Sequence, residues 1–192
     1  MFNVSSSTCK CLLANVSRTL SAMLLVVLLL PFTAVNAHTP YAQWDAYRVR
    51  HLQILTTRSD LVGDAIADEW VAVLAEHLPK SKAVVSRARN FIRMASLLKT
   101  DQAKVAVLSY ADAKAMFEGA TPFEDYAPMD LQVLLDDGVY LLLTRADLPE
   151  NHGFLVVSTL LEKGAGLNLS VPVEGVYGMD VHPGARAALD EH

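Results

Sequence analysis

Cysteine is nearly missing: the 192 residues hold two, Cys9 and Cys11. Beyond residue 11 the chain has no disulfide, no thiol nucleophile and no Cys metal ligand. Its stability must come from burial. Basic charge is also in deficit, with 16 Lys and Arg against 21 Asp and Glu. A chain of that sign is a poor partner for nucleic acid or an anionic membrane. Catalytic signatures are missing too. There is no Gly-x-Ser-x-Gly, no His-Glu-x-x-His and no phosphate-binding loop. Ser59 and Ser109 have polar neighbours but no evident base, so a secreted hydrolase is the weakest reading. A long hydrophobic run is absent as well. The apolar stretch at residues 20–30 closes at Pro31, about half the roughly 20 residues a spanning helix needs.

That short run belongs to a three-part pattern. Lys10 and Arg18 give a basic start, and the first 37 residues carry no acid. Ala34-Val-Asn-Ala37 follows the apolar run, with small residues one and three positions before a cut. This is the layout of a cleavable secretory signal over residues 1–37, and it predicts a periplasmic protein. Removing 37 of 192 residues would leave 155, which is one ordinary domain. Lys10 and Arg18 would go with the signal, so the mature net charge would be −7 rather than −5.

Residues 38–50, with Pro40, Trp44 and Tyr47, form a lead-in. Residues 51–192 then alternate between two hydrophobic periods. Strands are expected at 51–57, 83–86 and 104–110, and helices at 61–77, 90–99 and 111–117. Residues 131–145 are strongly β-forming, with Asp136-Asp-Gly138 as a hairpin turn or bulge. A helix begins after Leu148-Pro149 and stops before Gly164. The last stretch is looser, with a helical turn after Pro183. Alternation of this kind predicts an α/β fold, a mostly parallel sheet with helices on both faces. Ligands of such sheets bind outside the carboxyl ends of the strands. Three loops fall there: 56–60, 86–90 and 109–112.

Three stretches carry a family resemblance. The first is Arg87-Ala-Arg-Asn90, with Leu97-Leu98 and then Lys104-Val-Ala-Val-Leu-Ser-Tyr-Ala-Asp112. The second runs from Ala115-Met-Phe-Glu-Gly-Ala-Thr-Pro-Phe-Glu-Asp125 to Val139-Tyr-Leu-Leu-Leu-Thr-Arg-Ala-Asp147. The third is Leu148-Pro-Glu150 with Val181-His-Pro-Gly-Ala185, and its His-Pro-Gly-Ala tetrapeptide is the most specific. Together they resemble the TAXI family of periplasmic solute receptors, which serve TRAP-type transporters. The resemblance covers most of residues 51–190 and implies lobe 1 of a type II periplasmic binding protein. Family members have two lobes and about twice the expected mature length. Here the segment that would build the second lobe is missing. The family's glycine-rich ligand loop is replaced by Thr56-Thr-Arg-Ser-Asp60, with only Gly63 nearby.

The function expected is that of a non-enzymatic, solute-binding-like protein. It would hold a small organic anion or act as an accessory to a transporter or another periplasmic protein. A homodimer or heterodimer could rebuild the cleft. Arg58, Arg87 and Arg89 fall in adjacent loops, and guanidinium forks near helix N-termini suit a carboxylate. The same arginines could equally form a solvated rim. The ligand candidates are Thr57, Arg58, Ser59, Arg87, Asn90, Ser109 and Tyr110. No cofactor is required by this reading.

A metal-binding protein is the alternative. As the expected first mature residue, His38 offers its α-amine and ring nitrogen to copper in one plane. Further ligands would be His51, His77, His152 or His182. More commonly a cleavage site simply falls at such a residue. Asp136 and Asp137, with Asp125 or Asp130, could hold a hard cation. An Asp-Gly turn explains the first two more simply, and His182 before Pro183 reads as a structural residue at a turn.

Overall fold

A computed structural model describes residues 51–126 and 128–191. The signal-like segment, the lead-in and His38 lie outside the described residues. Five strands form one sheet: β1 (Gln53–Thr57), β2 (Val84–Ala88), β3 (Val105–Ser109), β4 (Leu131–Asp136) and β5 (Tyr140–Arg145). Their order across the sheet is β2-β1-β3-β5-β4. β1 pairs in parallel with β2 and β3, while β5 runs antiparallel to both β3 and β4. Four strands therefore point one way and only β5 opposes them. The α/β expectation holds, with a mixed sheet that is parallel through its centre.

Among the described residues five α-helices pack on this sheet: α1 (Leu61–His77), α2 (Phe91–Lys99), α3 (Tyr110–Glu118), α4 (Glu150–Lys163) and α5 (Pro183–Asp190). Strand residues alternate between two faces. Ile54, Val105, Val107 and Leu142 point to one side, where Ala67, Trp70 and Leu74 of α1, Val157 and Leu160 of α4 and Ala185 of α5 cover them. Leu55, Ala106, Leu108 and Leu141 point to the other, beneath Met94 and Leu98 of α2 and Met116 of α3. Both faces are thus sealed by apolar residues at helical spacing. Each fully buried Leu or Met contributes roughly 1.5–3 kcal/mol of transfer free energy.

Two details depart from the sequence expectation. β2 continues to Ala88, because Arg87 and Ala88 pair with Thr56 and Thr57. β3 ends at Ser109, whose side chain accepts from the Asp112 amide, so Tyr110 opens a helix rather than closing a strand. In β4 the register slips between Val133 and Leu135. Leu134 is the extra residue of a bulge, so Leu134 and Leu135 both reach the α1–α4 side. The remaining edge of β4 is covered by later chain. Val133 bridges Val181 and Asp136 bridges Ser170. Among the described residues no helix is long and apolar enough to cross a membrane.

Candidate functional site

The carboxyl ends of β1, β2 and β3 open at one end of the sheet. The β4–β5 turn lies at the same end, because Ser109 is registered with Tyr140 and Asp136 with Leu141. Three helices start there. Asp60 caps α1 by accepting from the Gly63 amide, Asn90 caps α2 through Arg93, and Ser109 caps α3 through Asp112. Such short polar residues occupy N-caps because they satisfy an amide that the helix leaves free.

The predicted ligand residues converge on this end but play different parts. Thr57 is buried, and its hydroxyl accepts from the Ser59 amide at 3.2 Å. The Ser59 hydroxyl donates to the Arg89 carbonyl at 3.4 Å. The Arg58 amide donates to the Ala88 carbonyl at 3.0 Å. Loops 57–60 and 88–90 are therefore tied together, and Arg58 and Arg89 project from neighbouring, fixed backbone. Both are exposed.

Arg87 belongs to a different structure. Its Nε donates to Asp64 at 2.9 Å, and its Nη2 reaches both oxygens of Asp68 at 2.7 and 2.6 Å. Thr56 also donates to Asp64, at 2.8 Å. Burial works against the Asp64 charge. The hydrogen bonds from Arg87 and Thr56, with the charges of Arg87 and Arg58, outweigh it and hold the carboxyl below its ordinary value. The Arg87 fork is thereby committed to α1.

Ser109 and Tyr110 are also engaged. The Ser109 hydroxyl donates to Asp112 at 2.6 Å, and Tyr110 donates to Asp136. Burial, that hydrogen bond and the charges of Asp136 and Asp137 push the Tyr110 phenol above its usual range. Tyr140 was not foreseen. Its hydroxyl donates to Asp60 at 2.9 Å, and burial followed by the Asp60 contact pushes its pKa up to about 12. Asp136 accepts from the Gly138 amide at 2.7 Å, and Asp137 from Val139 at 2.8 Å and Tyr140 at 2.5 Å. These two acids form the turn that the Asp-Asp-Gly sequence expresses.

Acids and arginines both stand at the strand ends, with Asp60, Asp64 and Asp112 on the first turns or caps of α1 and α3. Over β5 and β4 stand Asp136 and Asp137. Over β1 and β2 stand Arg58 and Arg89. Arg93, in the first turn of α2, joins them; it too is exposed. The first turns of α1 and α3 contain Asp64 and Asp112, but that of α2 contains no acid. The α2 N-terminus therefore keeps its partial positive charge, with Arg89 and Arg93 on either side of its cap residue in the sequence. Arg93 was passed over as an ordinary helical residue. A scan of first-turn charges in Asn90-Phe-Ile-Arg93 would have found it.

Among the described residues the acids proposed for a hard cation do not all come together, and the site proposed at His38 lies outside those residues. β4 separates Asp130 from Asp136 by its whole length. His182 is buried. Its Nδ1 accepts from the Gly184 amide at 3.1 Å, so its Nε2 is the donor to the Leu148 carbonyl at 3.0 Å. Among the described residues no group of three or more His, Cys, Asp or Glu could hold a metal ion. A cavity of about 320 Å³ lies at the other end of the sheet, between Leu98, Met129 and Arg145. Arg145 there donates to Asp147 at 2.9 Å and to the Leu98 carbonyl at 2.5 Å.

No protein-family model matches this chain, and no curated protein or solved structure matches it either.

Proposed function

We propose that this chain is a periplasmic, non-enzymatic receptor lobe of the TAXI type that binds a small organic anion at the N-terminus of α2. The observation that carries the reading is the uncompensated positive end: of the three helices that start here, α2 alone has no first-turn acid, and Arg89 and Arg93 flank its N-cap Asn90 in sequence while Arg58 lies in the loop tied to residues 88–89. A carboxylate there would accept hydrogen bonds from guanidinium groups and meet the positive end of the helix. The ties among Thr57, Ser59 and Arg89 hold the two loops in place before a ligand arrives, which lowers the ordering cost of binding. The resemblance of the Arg87-Ala-Arg-Asn90 and His-Pro-Gly-Ala stretches supports the receptor assignment. The signal-like first 37 residues support the compartment.

Calorimetric titration with a panel of mono- and dicarboxylates tests this reading. At least one should bind, and Arg58→Ala combined with Arg89→Ala should weaken it roughly 10- to 100-fold, the size expected of charged hydrogen bonds. The reading fails if no carboxylate binds, or if the double variant binds as well as the parent. Sequencing the amino terminus of protein from the periplasmic fraction tests the compartment, with His38 expected first.

A further inference from the structure

Among the described residues the sheet has one open edge. β2 stands first in the order β2-β1-β3-β5-β4, and no described strand pairs with its outer side. The Val84 amide donates to the Leu52 carbonyl, and the Ala88 carbonyl accepts from the Arg58 amide, both at 3.0 Å. Val84 and Ala88 therefore face β1. Backbone groups of successive strand residues point to opposite edges, so the amide and carbonyl of Val85 and of Arg87 point outward. The Arg87 side chain is drawn onto α1 by Asp64 and Asp68. An edge of this kind is a template for a further strand.

The charge along this edge has one sign. Residues 79–100 contain Lys80, Lys82, Arg87, Arg89, Arg93 and Lys99 but no acid, in a chain whose acids outnumber its bases by 21 to 16. Lys80 and Lys82 stand just before β2 and Arg89 just after it. All three are exposed. Lys99 lies at the far end of α2, where it reaches the Pro128 carbonyl at 3.5 Å. The acids nearest the edge belong to α1, and each has another direction or partner. Asp64 and Asp68 are taken by Arg87. Asp60 accepts from Gly63 and Tyr140. Glu76 lies against His77 at 3.8 Å. Glu69 and Glu76 also stand about 80–140° round the helix from Asp64 and Asp68, at 3.6 residues per turn. Lys80, Lys82 and Arg89 remain as uncompensated charge at the two ends of β2.

Like charge decides the occupant. If two copies paired β2 antiparallel, with Val85 of one opposite Arg87 of the other, Lys82 of each would fall beside Arg89 of its partner. Edge strands use such repulsion to keep copies apart. Residues 38–50 hold Arg48 and Arg50 against Asp45 alone, so they share the sign of the edge. The same charges attract a strand of opposite sign. We propose that β2 is a docking edge for an extended acidic segment of another protein, which joins the five-stranded sheet as an added strand. Its backbone would pair with Val85 and Arg87, and its carboxylates would meet Lys80, Lys82 and Arg89. Strand addition takes its affinity from main-chain hydrogen bonds and its selectivity from side chains. The docking edge does not depend on a solute at the α2 N-terminus.

Fluorescence anisotropy of a labelled, end-blocked peptide of alternating Glu and Val, titrated with the full chain, tests the proposal. Binding is expected at low salt. It should weaken as added salt shortens the reach of exposed charges to about 3–10 Å. The matching peptide of Lys and Val should not bind. The Glu–Val peptide carrying N-methyl groups along its backbone should bind at least about 10-fold more weakly, since it cannot donate to the strand. Lys80→Glu with Lys82→Glu should weaken binding roughly 10-fold. Val85→Pro should abolish it and keep the sheet, because the amide removed points outward and edge strands accept proline there. Circular dichroism checks the fold, and if Val85→Pro does not fold, the N-methylated peptide makes the same test on the parent chain. Failure of the Glu–Val peptide to bind at low salt overturns the proposal. Equal binding of the N-methylated peptide, or undiminished binding by folded Val85→Pro, also overturns it, because charge alone would then hold the peptide. Binding indifferent to the two lysine changes would place the peptide elsewhere and overturn it as well.

Discussion

Tyr140 reaches from β5 to the first turn of α1, where its hydroxyl donates to Asp60 across 2.9 Å and 80 positions of sequence. The same carboxylate caps the helix through Gly63. The contact requires glycine at position 63. A β-carbon there would stand 2.7 Å from the Asp60 carboxylate and 2.8 Å from the Tyr140 ring. Tyr140→Phe should therefore lower stability by about 1.5 kcal/mol, the scale of a hydrogen bond to a charged group. Gly63→Ala should do at least as much harm. The phenol's folded pKa, about 12, lies above the ordinary 10.0. A raised value contributes stability that is complete below pH 10 and lost as pH rises through 12. Urea unfolding between pH 8 and 11.5 should show the parent losing stability that Tyr140→Phe does not lose. Parallel losses would remove this account.

The His-Pro-Gly-Ala tetrapeptide has a physical explanation of the same kind. His182 caps α5, Pro183 takes the first turn, where no amide is needed, and Ala185 is buried. Gly184 lets α5 approach α4. A β-carbon at 184 would overlap the Glu150 carbonyl oxygen and crowd the Phe154 amide at 2.5 Å. Both obstacles are backbone and cannot rotate away. Gly184→Ala should destabilise the protein by about 3 kcal/mol, the upper end for overpacking. His182→Ala should leave the Gly184 amide and the Leu148 carbonyl short of partners and lower stability by about 2 kcal/mol. Thermal unfolding followed by circular dichroism measures both. A Gly184→Ala protein as stable as the parent would mean that the helices do not touch at this point.

The order of elements was legible because each is written in local signals. Asp60, Asn90 and Ser109 stand before their helices, and the apolar spacing from Ala67 through Trp70 to Leu74 matches one helical face. The direction of β5 was not legible from periodicity, but Asp136-Asp-Gly138 marked the reversal. The site was legible in outline only. Sequence brings Arg58, Arg87 and Arg89 to two adjacent loops, yet Arg87 is still a strand residue, registered with Thr56, and its fork is taken by Asp64 and Asp68 of α1. The links from Tyr140 to Asp60 and from Tyr110 to Asp136 join residues 80 and 26 positions apart. No local pattern encodes such pairs. They exist because the sheet order sets β5 beside β3.

At the opposite end of the sheet, Asp147 gathers the cations. Arg145 donates to it at 2.9 Å and Lys104 at 2.8 Å. The Arg145 hydrogen bond leads in lowering its pKa to about 2, from an ordinary 3.8. A lowered value contributes stability that is complete above pH 3.8 and lost as pH falls toward 2. Asp147 is nearly half exposed, so solvent screening keeps the effect small. Asp147→Asn should be slightly less stable than the parent at pH 6 and equal to it near pH 2. Chemical unfolding at several acidic values measures the difference, and a gap that widens toward low pH would contradict the sign.

Arg87 separates a structural arginine from those of the proposed anion site. Its side chain pairs with two carboxylates on α1, so truncation should loosen the α1–β2 contact rather than remove a solute contact. The pair with Asp68 is largely exposed, but Asp64 is only 20% exposed and would lose its main partner. Arg87→Ala should therefore lower stability by about 1 kcal/mol, near the top of the range for surface ion pairs. The loss should shrink in acid as Asp64 takes up a proton, since the pair favours the charged carboxyl. Arg58→Ala makes the opposite expectation. Arg58 is exposed and outside any ion pair among the described residues, so its removal should leave the unfolding midpoint within a degree or two while weakening carboxylate binding about 10-fold. Measuring both quantities for both variants gives four values with a fixed pattern. If Arg87→Ala abolished binding and left stability intact, the guanidinium would have to leave Asp64 and Asp68 to meet the ligand. The anion site would then have to be moved from the α2 N-terminus to the groove between α1 and β2.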